Sequence, residues 1–440
     1  MILSQIKRGC RVGFFGLGIS NSSLLRSLPL HSCSVTIRSD KIVLLSDIPD
    51  GLNIDHVYSG EDACIDIVED IIFFSPSVRR DRVELMEAKK RGVIFTSDAE
   101  LFFEENTTPT FLVTGSDGKS TAATLINMLL NKAGYSSQLI GNIGEPMWKK
   151  TAEKSDFYVF EASSFMLTYL TPRVKAACIT NITPNHLDWH KNFDEYRAAK
   201  LSVTESAERL IIGDDNIGIN AAYGIISSTR SYRELTKLYC AEVYMTVEDG
   251  YICRNREKIL RIDCIRRKEP HNLKNLMMAI AMTDGMIRSE EISWVAEDFG
   301  GLRHRCEFIP NSDGVDYIDS SIDSTPQRTL ETLTSLNREV VIILGGRGKR
   351  LDYRDMIPAL RKYARGVVVC GENAEEIYSI VKDQVKTIIA SDFDEAICIG
   401  RKMAKSVGTL LLSPASTSYD RFKNYAERGD YFRDFLLKNK

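Results

Sequence analysis

Residues 109–130 constrain this chain more than any other stretch. An apolar run of β-forming type (Phe111, Leu112, Val113) meets Gly115-Ser116-Asp117-Gly118-Lys119-Ser120-Thr121, and a helix-type pattern follows with Leu125, Met128 and Leu129 on one face. Strand, glycine turn and helix in this order make a phosphate cradle. Backbone N–H groups around the two glycines point at phosphate oxygens, and the helix N-terminus adds partial positive charge. Lys119 would reach the outer phosphates and Ser120 would hold Mg²⁺, so Gly115, Ser116, Asp117, Gly118, Lys119, Ser120 and Thr121 are the nucleotide-binding candidates. The generic pattern places a glycine where this chain has Val113, which leaves a shorter Gly-x-x-Gly-Lys-Ser core. A tight turn with an exposed lysine is the alternative reading. The loop specifies a nucleotide and leaves the reaction open.

Strand-like runs alternate with helical patterns on both sides of this loop, the signature of α/β architecture with parallel sheets and ligands at the carboxyl ends of strands. Motif placement divides the chain at about 105 and 301. In residues 1–105, a strand runs into Gly16-Leu-Gly18-Ile19-Ser20-Asn21, an imperfect dinucleotide fingerprint with Asn21 where the third glycine belongs. A plain strand-to-helix turn explains it equally well. Gly18, Ile19 and Ser20, and Arg38 at the end of the next strand, are the ligand-facing candidates of this unit.

In residues 106–301, Glu161 closes a buried-type strand, a place from which a carboxylate can bind Mg²⁺. Ser163 follows it. Another strand leads into Thr183-Pro-Asn-His186-Leu-Asp188-Trp-His190, and the next helix carries Tyr196, Arg197 and Lys200 on one face. On spacing alone Lys200 is a surface lysine. His271, Asn272 and Asn275 would line the first turn of a later helix, with polar capping as part of the explanation. In residues 302–440, Arg303-His304-Arg305 opens a second open parallel sheet. A glycine turn carries Arg347, Lys349 and Arg350, and a hydroxyl-rich turn ends at Ser418.

A net charge of −3 over 440 residues gives no reason to expect nucleic acid or a membrane surface as partner, so an anionic ligand must be met by local cations, metal or helix ends. The ten cysteines include no Cys-x-x-Cys pair and suit a reduced, cytoplasmic protein. No signal-peptide layout opens the chain, and no apolar run approaches the roughly 20 residues of a membrane span.

Taken together, the motifs resemble the Mur ligases. The resemblance is carried in order by Thr114-Gly-Ser-Asp-Gly-Lys-Ser-Thr121, Gly141-Asn-Ile-Gly144, Glu161-Ala-Ser-Ser-Phe165, Asn181-Ile-Thr-Pro-Asn-His-Leu-Asp188 and Tyr196-Arg-Ala-Ala-Lys200. It continues through His271-Asn-Leu-Lys-Asn275, His304-Arg305, Leu344-Gly-Gly346, Leu412-Ser-Pro414 and Phe422-Lys-Asn-Tyr-Ala-Glu-Arg-Gly429. It implies three domains: a Rossmann-like one (1–105) for a UDP-sugar, a central P-loop ATPase-type one with a parallel sheet (106–301), and a Rossmann-like one (302–440) for an amino acid. The implied reaction is ATP-dependent ligation of D-glutamate to UDP-N-acetylmuramoyl-L-alanine, in the cytoplasm, by a monomer. Catalytic roles would fall to Lys119, His186 and Lys200. Two Mg²⁺ ions would be held by Ser120, Glu161, His186 and a carbamylated Lys200. Asn272, Asn275 and Arg305 would hold the adenine nucleotide. Gly18, Ile19, Ser20, Arg38, Asn142 and Ser163 would serve the sugar nucleotide, and Lys349, Ser418 and Tyr425 the D-glutamate. The chain departs from the family pattern at Asp117, Asp319-Ser320, Ile322 and Ser77-Val-Arg-Arg80.

Overall fold

The computed structural model of the chain describes all residues except 1–2, 44–47, 49–51, 144–145, 151–153, 188, 215–220, 226–243, 311–312, 349–351 and 439–440. It forms two compact units, Met1–Phe299 and Gly300–Lys440. No helix among the described residues is long and apolar enough to cross a membrane.

The first unit holds two sheets. One comprises β1 (Arg11–Phe15), β2 (Ser34–Ser39), β3 (His56–Ser59), β4 (Ile71–Phe74) and β5 (Ile94–Thr96), all parallel in the order β3-β2-β1-β4-β5. Its central strands are apolar on both faces because helices cover both: Val12, Phe14, Phe15 and every residue of β4 are buried. Asn21, which stands where the third fingerprint glycine belongs, is itself buried. Its Nδ2 lies 2.8–3.1 Å from the carbonyls of Phe15, Gly16 and Phe73, and so ties the turn after β1 to β4.

Arg38 is where expectation and structure part. Its guanidinium is fully buried under the sheet end. It donates to Glu69 Oε1 (2.6 Å) and Oε2 (3.1 Å) and to the carbonyls of Ala63, Ile65 and Asp66, and it lies 4.5 Å from the Tyr58 ring. These five bonds use every N–H that an arginine has. Arg38 therefore closes the loop before β4 and has no donor left for a substrate.

The second sheet contains β6 (Thr110–Thr114), β7 (Ser137–Gly141), β8 (Phe157–Glu161), β9 (Ala176–Ile179) and β10 (Leu210–Asp214), parallel in the order β7-β8-β6-β9-β10. Here the expected parallel sheet is extended by four antiparallel strands: β11 (Ala221–Ile225), β12 (Tyr244–Glu248), β13 (Tyr251–Arg254) and β14 (Glu257–Arg261). The β12–β13 return is the pair Asp249-Gly250, both at positive φ, a two-residue turn open only to antiparallel neighbours.

The second unit is built on β15 (Glu307–Ile309), β16 (Asp316–Asp319), β17 (Val340–Leu344), β18 (Ala364–Val369), β19 (Thr387–Ile389) and β20 (Thr409–Leu412), in the order β15-β16-β20-β17-β18-β19. Only β15, at the edge, is antiparallel. The buried cluster Ile342, Leu344, Val367, Val369 and Leu411 occupies one face, and Val341, Ile343, Val368, Leu410 and Leu412 occupy the other.

Candidate active site

The glycine turn after β6 takes the shape its sequence requires. Gly115 (φ 141°) and Gly118 (φ 79°) both occupy backbone regions that L side chains avoid, and Gly118 caps the helix Lys119–Lys132. A Cβ on Gly115 would run into Thr180 Oγ1, and one on Gly118 would sit 2.5 Å from Asn275 Oδ1. The loop is thus clasped between the end of β9 and the helix Pro270–Met282. The Ser116 N–H donates to the Asn181 carbonyl (2.9 Å), and Ser116 Oγ lies 2.7 Å from Tyr196 Oη. The Asp117 N–H donates to Asn181 Oδ1 (3.0 Å), while its carbonyl accepts from Thr180 Oγ1 (2.5 Å) and Asn181 Nδ2 (3.1 Å). Lys119 folds back over the loop and donates to the Ser116 carbonyl (2.6 Å). Thr180 is the residue that motif spacing does not reach: only adjacency of β9 and β6 brings it under the loop.

Glu161 ends β8, in register with Val113 on one side and Gly141 on the other. Its carboxylate is fully buried. Oε1 accepts from Asn142 Nδ2 (2.9 Å), and Oε2 is buried with no hydrogen-bond partner. A buried carboxylate oxygen without a partner is costly, and a cation is the ligand that removes the cost. The residues therefore fit a divalent ion beside the phosphate loop.

Lys200 is not on the surface. It is 2% exposed, donates to the Gly115 carbonyl (2.7 Å) and lies 4.8 Å from the Tyr196 ring. Burial, then repulsion by Lys119, lowers its pKa to about 7, against the opposing pull of Asp117 and Glu161. His186 is exposed at positive φ (52°), with its ring 5.0 Å from Phe165. Ser163 caps a short helix, accepting from the Met166 N–H (3.2 Å). Asp188 lies outside the described residues. Asn272 and Asn275 are both buried on the helix that backs Gly118, and Asn272 Nδ2 donates to Glu269 (2.9 Å).

In the first sheet, Gly18 is exposed as the cap of the helix Ile19–Ser27, and Ile19 is 79% exposed. Ser20 lies near Asp98, a buried carboxylate that accepts from the Trp148 N–H (3.1 Å).

The C-terminal unit carries the remaining candidates. Arg305 is exposed. Ser418 is buried, and its carbonyl accepts from the Arg421 and Phe422 N–H groups. Tyr425 opens the helix Tyr425–Lys438 and is 42% exposed. Lys349 lies outside the described residues. Asp319 is spent on the fold, since its carboxylate meets His304 Nδ1 (2.7 Å) and the Ser321 N–H (2.8 Å).

Residues 113–283 match the Mur ligase middle domain, and residues 304–416 match the Mur ligase glutamate ligase domain. The chain is similar to the UDP-N-acetylmuramoylalanine–D-glutamate ligase of Acetivibrio thermocellus, at 32% identity over 97% of this chain and 96% of that one. A ligase of the same name from Clostridium botulinum is 30% identical over the same shares. Among solved structures, the fold is shared with UDP-N-acetylmuramate–alanine ligase MurC from Thermotoga maritima (TM-score 0.52, 17% identity, 98% of this chain and 100% of that one). It is also shared with E. coli FolC in complex with ADP (TM-score 0.54, 13% identity, 78% and 92%).

Proposed function

Since the chain belongs to the Mur ligase family, we propose that it joins D-glutamate to UDP-N-acetylmuramoyl-L-alanine with hydrolysis of ATP to ADP and phosphate, a step in peptidoglycan precursor synthesis. The observation that carries this reading is the buried, partnerless Glu161 oxygen beside a well-formed phosphate loop, in a chain aligned almost end to end with D-glutamate ligases. In this reading residues 1–105 receive the UDP end, 106–301 bind ATP, and 302–440 receive D-glutamate.

Joining a carboxylate to an amine in water is uphill, so the terminal L-alanine carboxylate is first phosphorylated and the D-glutamate amine then displaces phosphate from the acyl phosphate. The first step brings a carboxylate against a triphosphate, and unit charges 4 Å apart repel by about 4 kcal/mol at an effective dielectric of 20. Lys119 swings from the Ser116 carbonyl to the phosphates and offsets part of that repulsion. Mg²⁺, when bound, supplies the remaining positive charge. Ser120, Glu161 and His186 are the residues that would hold it. Asn142 keeps one Glu161 oxygen occupied and so aims the other. Lys200, as its free amine, attacks the carbon of CO₂ and releases one proton, which replaces a buried amine by an anionic carbamate oxygen ligand. Asn272 and Asn275 shape the adenine side and Arg305 contributes to nucleotide binding. Gly18, Ile19, Ser20 and Ser163 serve the sugar nucleotide, and Ser418, Tyr425 and Lys349 serve D-glutamate. Arg38 takes no part. The protein acts as a cytoplasmic monomer.

Lys119→Ala tests the assignment. Ligation should fall by about a hundredfold to a thousandfold, the loss expected when a main electrostatic stabiliser is removed, while far-UV circular dichroism and the melting temperature stay near wild type. Substantial ATP-dependent ligation by the folded variant would overturn it.

A further inference from the structure

The departure at Ser77-Val-Arg-Arg80 has a structural purpose, and it rests on the reading of His186 as a metal ligand. The loop after β4 begins at Ser75, whose hydroxyl donates to the Gly16 carbonyl (3.0 Å) under the turn that carries Gly18. Four residues on, Arg79 reaches the segment between β9 and the helix Phe193–Leu201. Its Nη1 donates to the Trp189 carbonyl (2.7 Å) and to Glu195 Oε2 (3.2 Å), and its Nη2 donates to Glu195 Oε1 (2.8 Å). Nε and Nη2 also grip Asp81 (2.9 and 2.7 Å), and the guanidinium lies 4.8 Å from the Trp189 ring. The clasp is returned from the other side: Trp189 Nε1 donates to the Ser77 carbonyl (2.7 Å), and Lys191 Nζ pairs with Asp81 (2.8 Å).

What this clasp holds is the turn of His186. The Trp189 and His190 N–H groups donate to the His186 carbonyl (3.1 and 2.9 Å). The Phe165 ring packs at 5.0 Å from His186, 4.5 Å from Trp189 and 5.8 Å from His190. Glu195, gripped by Arg79, lies 3.8 Å from His190 Nδ1, and His190 Nε2 meets Ser164 Oγ (2.9 Å), three residues beyond Glu161. His186 itself is exposed and at positive φ, with its N–H donating to Asn185 Oδ1 (2.8 Å), so its placement depends on how the turn around it is held. A planar fork that engages two carboxylates and a carbonyl at once can do so, and a point-charge ammonium cannot reproduce that geometry.

We propose that Arg79 is a positioning residue for the metal site: it fixes the Trp189 turn and thereby the imidazole of His186.

The test is Mn²⁺ binding to the full-length protein with a non-hydrolysable ATP analogue, followed by electron paramagnetic resonance, beside a thermal melt of each variant. Removing a residue that orients a metal ligand typically weakens metal binding by about 10–100-fold. Arg79→Ala should lose Mn²⁺ affinity by about tenfold, and Arg79→Lys should recover only part of it. Arg80→Ala removes the neighbouring ion pair with Glu100; it should lower the melting temperature and leave Mn²⁺ affinity within about twofold of wild type. Wild-type Mn²⁺ affinity in Arg79→Ala, with His186→Ala weakened, would overturn the proposal. So would an equal loss in Arg80→Ala, which would mean general loosening. Unchanged affinity in His186→Ala would bring down the reading of His186, and the proposal with it. If Arg79→Ala does not fold, Glu195→Gln cuts the same clasp from its other end and carries the same expected and refuting results.

Discussion

Replacing Glu69 by glutamine should unfold the first sheet early while leaving sugar-nucleotide recognition intact. Arg38 and Glu69 are 0% and 1% exposed at the side chain, and their closest approach is 2.6 Å. The three carbonyls around Arg38 Nη1 and Nη2 satisfy hydrogen bonds but carry no net charge. Among the described residues, the Glu69 carboxylate is the charged partner that neutralises the buried guanidinium. Breaking such a pair by removing one partner costs about 3–5 kcal/mol, because a desolvated charge remains. With a urea slope of about 3 kcal/mol per M, the midpoint for this sheet should fall by about 1–1.7 M. The assay is hydrogen exchange of the β1 and β2 amides across a urea series, since a chain of several sheets need not unfold in one step. Glu69→Gln should expose these amides at lower urea than wild type, and the Michaelis constant for UDP-N-acetylmuramoyl-L-alanine should be unchanged at low urea. A wild-type midpoint together with a raised Michaelis constant would refute the reasoning and return Arg38 to the substrate.

Gly118→Ala forces a side chain into left-handed backbone, at a cost of about 1–2 kcal/mol, and pushes Asn275 aside; ATP affinity by calorimetry should fall by about tenfold. Burial pushes the Asp98 pKa up to about 6. Folding therefore favours its neutral form, and the stability that this gives is present below the unfolded value near 3.9 and lost as pH rises through 6. Asp98→Asn should match wild type near pH 4 and exceed it by about 1–3 kcal/mol at pH 7.5 in denaturant titrations.

Much of the site was legible because the phosphate loop is local: glycines, lysine and helix start lie within one turn of chain. Glu161 and His186 could be singled out because strand ends carry ligands in α/β sheets. Burial was not legible. Lys200 reads as a surface lysine because it follows Asp194, Glu195 and Arg197 on a charged helix, and what claims it is the Gly115 carbonyl, 85 residues away. Arg38 reads as a ligand because it ends a strand, and what claims it is Glu69 on the approach to β4. Asn21 reads as a flaw in a fingerprint and turns out to pin the turn by side-chain hydrogen bonds where a glycine would leave the carbonyls to other partners. The strand β7 is not marked in the sequence because it is an edge strand in which Gln138 and Leu139 are only half-buried, so no apolar run announces it.

The most direct measurement is phosphate release from ATP by the purified protein with Mg²⁺, UDP-N-acetylmuramoyl-L-alanine and D-glutamate, each omitted in turn. Release that requires both substrates is the expected result. Release with the sugar nucleotide and a different amino acid would contradict the assigned acceptor. No release under any combination, from folded protein that binds ATP, would contradict the ligase itself.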